Sequence, residues 1–179
     1  MVGVKPEHVE AIWDELGMEP GHGLGTGLNY IQSCPGTSVC RLGQRDSLEM
    51  AERIYDAIKP LGIESKIKFG VSGCPLQCGE GAIRDIGVFG KKATGWTVQI
   101  GGNSGLNARV GEVLAADLED DRLIEVLTKL MVYYKENMKP KERMYRFVPR
   151  MGGVEEIRKR MSNINEKRIR FLVCQQVED

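Results

Sequence analysis

Four of the chain's five cysteines stand in two short loops, Cys34 and Cys40 in "SCPGTSVC" and Cys74 and Cys78 in "GCPLQCGEG". The spacings are C-x5-C and C-x3-C, and proline follows the first cysteine of each. Three chemistries suit four thiols placed this way. They could hold zinc, although zinc knuckles close over roughly two to four residues and the first loop is longer. They could be inert, since free cysteine packs as a small hydrophobe. They could ligate an iron–sulfur cube, which takes four thiolates. Proline removes an N–H and stiffens each turn. Gly36, Gly79 and Gly81 let main chain approach closely and turn N–H groups toward sulfur.

The loops need strands to present them. "LNYIQSC" reads as a strand running into the first loop. "SKIKFGVSG" alternates, with Ile67, Phe69 and Val71 on one face and Lys66, Lys68 and Gly70 on the other, and runs into the second. "IRDIGVFG" and "GWTVQIGG" read as two further strands, and "NSGLNARVG" as a loop. Asp46 and Glu49 form a capping box ahead of a helix with Leu48, Ala51, Ile54, Tyr55 and Ile58 inward, stopped by "PLG". A second helix covers 120–137 on an inner stripe of Leu123, Leu127, Leu130 and Tyr134, and a short one covers 153–161. Tyr133, Tyr134, Tyr145 and Phe147 fit helical packing. Near the start, Val9, Ile12, Trp13 and Leu16 share one face of a short helix over 6–17. The expected class is α+β, a mixed sheet with flanking helices. The expected division is a helical arm and Gly-rich linker over 1–24, a domain over 25–163, and a tail over 164–179, where "KRIRFLVC" is a strand or a loose end.

Composition narrows the partners. Lysine plus arginine and aspartate plus glutamate both number 25 in 179 residues, so bulk charge offers no nucleic-acid or membrane attraction. No apolar run reaches spanning length, and the N-terminus lacks the pattern of a signal peptide. The expectation is a cytoplasmic, reducing setting in which the thiols are not disulfides. His8 and His22 read as surface residues, and Cys174 as a packed thiol.

Four stretches carry a resemblance: "CPGTSVCRLGQRDS", "KIKFGVSGCPLQCGEGAIRDIGVFG", "GWTVQIGGNSGLNARVGEVLAADLEDDRLIEVLTKLMVYY" and "ERMYRFVPRMGG". Together they resemble the sirohaem and [4Fe–4S] domain of the sulfite and nitrite reductases. Within that family they look most like the sirohaem-domain region of the large subunit of NADH-dependent assimilatory nitrite reductase. The resemblance implies the fold of a haemoprotein half-unit and a [4Fe–4S] cluster on Cys34, Cys40, Cys74 and Cys78. It also implies sirohaem, with Cys78 bridging to the haem iron. Many members carry Asn inside the C-x3-C loop; here Leu76 and Gln77 stand there, and Gln77 supplies the amide. The family's preceding ferredoxin-like region and its flavin and NADH modules have no counterpart in this sequence, and no G-x-G-x-x-G fingerprint opens a strand–helix unit.

Sirohaem is rich in carboxylates and calls for cations. Arg41, Arg45, Arg84 and Arg109 are the expected binders, with Lys91 and Lys92 nearby. The activity implied is reduction of sulfite to sulfide or nitrite to ammonia, with electrons from a ferredoxin or partner reductase. The alternative is a non-catalytic iron–sulfur and sirohaem electron-transfer subunit of a larger complex. In the family, two such units face each other and one presents a K-x-K strand to the haem. Lys66 and Lys68 match that pattern, so the expectation is a homodimer in which each chain's lysines serve its partner's site.

Overall fold

The computed structural model describes residues 3–17 and 27–162. The linker, His22, the tail over 164–179 and Cys174 lie outside the described residues. Alternation along β2 (Lys66–Ser72) sets the two faces of the sheet. Ile67, Phe69 and Val71 are buried, while Lys66 and Lys68 are half-buried on the other side. β1 (Gly27–Ser33) and β3 (Ile86–Lys91) flank β2 in parallel. β4 (Gly95–Ile100) and β5 (Glu112–Leu118) extend the sheet antiparallel, in the order β1-β2-β3-β4-β5. Register places Val71 beside Val88 and Val88 beside Val98, so the apolar residues of three strands form one continuous face.

That face is covered by α2 (Ser47–Ile58) and α3 (Asp120–Asn137). Asp46 caps α2, its carboxylate accepting from the Leu48 and Glu49 amides at 3.1 Å each. The inner stripe is Met50, Ala51, Ile54 and Ile58. Leu48, expected inward, is exposed, because six residues before Ile54 turn it off the stripe. Leu123, Leu127, Leu130 and Tyr134 of α3 are fully buried, as their spacing predicts.

Two elements were not foreseen. β5 shows no alternation, because as the edge strand it buries only Leu114. α4 (Met144–Arg150) has only seven residues and contains Pro149, which reads as a breaker, yet Met144, Phe147 and Val148 face the core. The expected last helix is α5 (Val154–Ser162), and α1 (Val9–Leu16) forms the N-terminal arm after a 3-10 turn at Pro6–His8.

Parallel neighbours need crossover connections. α2 carries the chain from β1 to β2 over the apolar face. From β2 to β3 the crossover is the second cysteine loop, which runs over the opposite face with only a 3-10 turn at Gly81–Ile83. Both steps move the same way across the sheet but on opposite sides, so the two crossovers have opposite hands. The preference for right-handed crossovers comes from a twisted strand feeding a helix. It governs α2 and leaves the helix-free cysteine loop unconstrained.

The lower end of the sheet is tied to α4 by one ion pair. Asp85 is fully buried, and Arg143 donates to it through Nε at 3.0 Å and a terminal nitrogen at 2.7 Å. Its Oδ2 also accepts from the Lys68 amide at 2.9 Å. Burial pushes the Asp85 carboxyl pKa up, and Arg143 opposes the shift. Arg143→Ala is predicted to cost about 3 kcal/mol and Asp85→Asn less, since a freed Arg143 can reach water. In Arg143→Ala the carboxyl pKa lies further above its unfolded value. The penalty is therefore absent below the unfolded pKa and grows as pH rises through the folded one. Urea unfolding should show a gap from wild type that narrows as pH falls from neutral toward the ordinary carboxylate range.

Candidate iron–sulfur site

The second cysteine loop lies directly on the sheet because two strand positions lack side chains. Gly70 and Gly87 are neighbours across β2 and β3. A Cβ on Gly70 would stand 2.3 Å from the Gly79 carbonyl oxygen, and one on Gly87 would stand 2.3 Å from that of Gly81. Main chain therefore packs on main chain at this crossing. The Gly79 amide donates to the Ser72 hydroxyl at 2.9 Å, fixing the loop above the strand it has just left. Gln77 and Glu80 adopt left-handed backbone (φ 53° and 59°) to make the turns. The β4–β5 loop closes beside it, with the Gly111 amide donating to the Ala82 carbonyl at 2.8 Å.

The two cysteine loops are also joined to each other. The Cys34 amide donates to the Val71 carbonyl at 3.1 Å, and the Gln44 and Arg45 amides both donate to the Gly73 carbonyl at 2.9 Å. A Cβ on Gly73 would fall 2.4 Å from the Arg45 carbonyl oxygen. Cys34 and Cys74 thus leave the carboxyl ends of adjacent parallel strands, where open sheets bind their ligands.

The four thiols differ in setting. Cys74 is buried, Cys34 and Cys40 are half-buried, and Cys78 is exposed. The Cys34 sulfur accepts from the Gly73 amide at 3.3 Å and lies 3.3 Å from the Ser47 hydroxyl. Burial raises the Cys34 pKa, but the bonds from Ser47 and Gly73 outweigh it and leave the thiol below its ordinary value. Among the described residues no three His, Cys, Asp or Glu side chains are gathered tightly enough for one metal ion. A zinc knuckle would need that gathering. A cube, ligated at four separate irons, takes a wider set. The residues fit a cube on three counts: N–H donors at sulfur, a glycine-lined seat, and thiols from two locked loops.

The expected cation sites separate into two groups. Arg45 is spent internally: it donates to Asp120 at 3.0 Å and to the Lys91 carbonyl at 3.2 Å, and its guanidinium lies 6.0 Å over Trp96. Arg84 bridges Gln32 and Glu80, and Arg109 pairs with Glu112. Arg41 and Lys92 are exposed beside the first loop and its neighbouring hairpin, and Lys91 stacks on Phe89 at 5.8 Å. The Gln77 side-chain oxygen is buried against Gly81 without a hydrogen-bond partner. Lys66 and Lys68 share one face of β2, on its first half; Lys68 lies six positions before Cys74, about 20 Å if extended. Val39, Leu42, Leu76, Leu106 and Val110 are exposed in the three loops at this site. His8 is exposed, as expected. The sequence reading missed Ser47 and the amide of Gly73, and did not give Gly70 and Gly87 a role. The paired "FGVS" and "IGVF" strands carried a signal for the last two.

Two thiol-bearing loops meet on a glycine seat at the carboxyl end of a mixed sheet. Residues 25–168 match the family model for the nitrite and sulphite reductase 4Fe-4S domain, and the chain belongs to that family. It is 42% identical over 158 residues to the assimilatory-type sulfite reductase of Nitratidesulfovibrio vulgaris, covering 88% of this chain and 72% of that one. It is 32% identical to the NAD(P)H nitrite reductase of Bacillus subtilis, covering 85% of this chain but only 19% of that longer protein. The fold matches dissimilatory sulfite reductase I with a TM-score of 0.73 at 16% identity, over 90% of this chain and 59% of that one. The α+β mixed-sheet half-unit expected from the sequence is the observed fold. Among the described residues no helix is long and apolar enough to cross a membrane.

The seat gives a direct prediction. Gly70→Val and Gly87→Val should each cost about 3 kcal/mol or more, because the loop above cannot retreat without leaving the sheet. Iron per chain after anaerobic reconstitution should fall with them. Gly105→Ala, whose Cβ would meet nothing within 4 Å, should keep its iron.

Proposed function

We propose that this chain is the cofactor-carrying unit of a sirohaem- and [4Fe–4S]-dependent reductase acting on sulfite or nitrite. The observation that carries this reading is the locking of both cysteine loops at the ends of β1 and β2, with Cys34 held by N–H donors and Cys78 turned to solvent. Cys34, Cys40 and Cys74 would hold the cluster, and Cys78 would be the ligand shared with sirohaem. When bound, these groups would supply the electron path and the iron that takes the anion. The protein's share is to hold the thiolates, shield the cluster and bring cations. Arg41 and Lys92, exposed beside the first loop and the hairpin, and Arg109 on release from Glu112, would meet haem carboxylates, and the exposed Val39, Leu42, Leu76, Leu106 and Val110 would meet its apolar ring or a partner. Arg45 and Arg84 act by holding the loops, through Asp120 and Glu80.

Lys66 and Lys68 would bind the oxyanion and move protons to it. Their distance along β2 from Cys74 favours service to a second copy in a homodimer, with electrons delivered by a ferredoxin or partner reductase. The second reading is an electron-transfer subunit without turnover, working inside a larger reductase complex.

Anaerobic purification separates the two. A sirohaem spectrum with sulfite- or nitrite-dependent oxidation of reduced viologen is the result expected; iron–sulfur absorption alone with no turnover would select the carrier. Cys78→Ser should perturb the haem spectrum more than Cys34→Ser does. Mixing Cys78→Ser chains with Lys66→Ala/Lys68→Ala chains should restore activity at about one site in two of each mixed dimer. No recovery despite subunit exchange would count against lysines acting across the dimer.

A further inference from the structure

The Cys34 sulfur sits between two serine hydroxyls. Ser33 closes β1 and Ser47 opens α2. Ser47 is fully buried. Its hydroxyl oxygen is walled by main chain: a Cβ on Gly36 would stand 2.5 Å from it and one on Gly73 3.4 Å. The hydroxyl therefore has protein acceptors and no solvent. Two are within reach, the Cys34 carbonyl at 2.8 Å and the Cys34 sulfur at 3.3 Å.

A serine has one O–H and cannot serve both in full. Ser33 faces a matching choice. Its hydroxyl reaches the Cys34 carbonyl at 3.0 Å and the Ser47 carbonyl at 2.9 Å. The Ser47 carbonyl belongs to the first turn of α2, where the helix ladder already serves it. Ser33 is thus free to serve the Cys34 carbonyl, and Ser47 is free to leave it.

The state of the sulfur sets the choice. A thiol S–H can donate to the Ser47 oxygen, which leaves Ser47 donating to the carbonyl. A sulfur bound to iron carries no proton and only accepts. With the O–H still on the carbonyl, the lone pairs of Ser47 would face those of the sulfur in a site without water. Turning the O–H to sulfur removes that conflict, and Ser33 takes over the carbonyl. No heavy atom has to move.

We infer that Ser33 and Ser47 form a hydroxyl relay that turns the Ser47 O–H onto the Cys34 sulfur when the cluster is loaded, and that this bond raises the cluster's reduction potential. The inference rests on the four-iron reading of the site. One electron from an external donor enters the oxidised cube, and part of its charge reaches the ligating sulfurs. A hydrogen-bond donor at sulfur stabilises that reduced state more than the oxidised one. Ser47 shares its proton and keeps it, so this bond adds no proton uptake to the electron uptake.

Redox titration of the holoprotein with dithionite, followed by EPR, tests this, with iron counted in every sample. Ser47→Ala should keep its iron and lose about tenfold in the reduction equilibrium, a fall of ~59 mV for one electron. It should also lose one exchangeable-proton coupling in the ENDOR spectrum of the reduced cluster, read in water against D2O. Ser33→Ala should fall by less, because the Cys34 carbonyl then competes for the Ser47 O–H. Thr128→Ala removes a buried hydroxyl on α3 that donates to the Ile124 carbonyl, and should leave potential and coupling unchanged. An unchanged potential in Ser47→Ala with full iron overturns the inference and leaves the four-iron reading standing. An equal fall in Thr128→Ala also overturns it, since the shift is then a general effect of lost stability. If Ser47→Ala cannot hold iron, Ser33→Ala decides, and an unchanged potential there overturns the inference. A wild type without the cube overturns the four-iron reading, and the inference falls with it.

Discussion

Where the second cysteine loop crosses β2 and β3, a carbonyl oxygen sits at the place a Cβ would take, at both Gly70 and Gly87. No other residue type leaves that space. The rest of the site follows from this contact. A crossover between parallel strands normally rides on a helix, about 10 Å from the sheet. Here it rides on the strands themselves, so its cysteines remain within reach of the loop that leaves β1. Gly73 extends the same principle to the contact between the two loops, where its amide serves the Cys34 sulfur and its carbonyl takes the Gln44 and Arg45 amides.

The sheet divides its labour by face. Phe69, Val71, Ile86, Val88, Val98 and Ile100 form one apolar side under α2 and α3 and hold the fold together. The glycines, Ser72 and the lysines form the other side, with little apolar area to contribute. Stability there comes from hydrogen bonds and close main-chain contact, which specify position more than they add energy. An arrangement of this kind keeps thiols in place before any metal arrives. Cys34 is held below its ordinary pKa by its donors, and Cys78 is exposed.

Much of this was legible in the residues. The two C-P loops, the alternation from Ile67 to Val71 and the Asp46 cap are local signals, and each predicted its element. β5 was silent because an edge strand burying one leucine has no alternation to read. α4 was hidden by Pro149, which a short helix tolerates near its end when Met144, Phe147 and Val148 pack inward. Long-range pairings were illegible for a different reason. Arg45 with Asp120 and Asp85 with Arg143 join residues 75 and 58 positions apart, and nothing local distinguishes a guanidinium bound for a carboxylate from one bound for a cofactor. Arg45 flanks the cluster loop in sequence, but Trp96 and Asp120 claim it in space.

Four thiols in two locked loops imply one multi-iron cluster. Mössbauer spectroscopy of the iron-57 holoprotein, prepared anaerobically, reads this directly. About four irons per chain are expected in the valence-delocalised pairs of an oxidised [4Fe–4S] cube, accompanied by a haem iron signal when sirohaem is bound. A single tetrahedral iron on the same thiols, at one iron per chain or fewer, would contradict it.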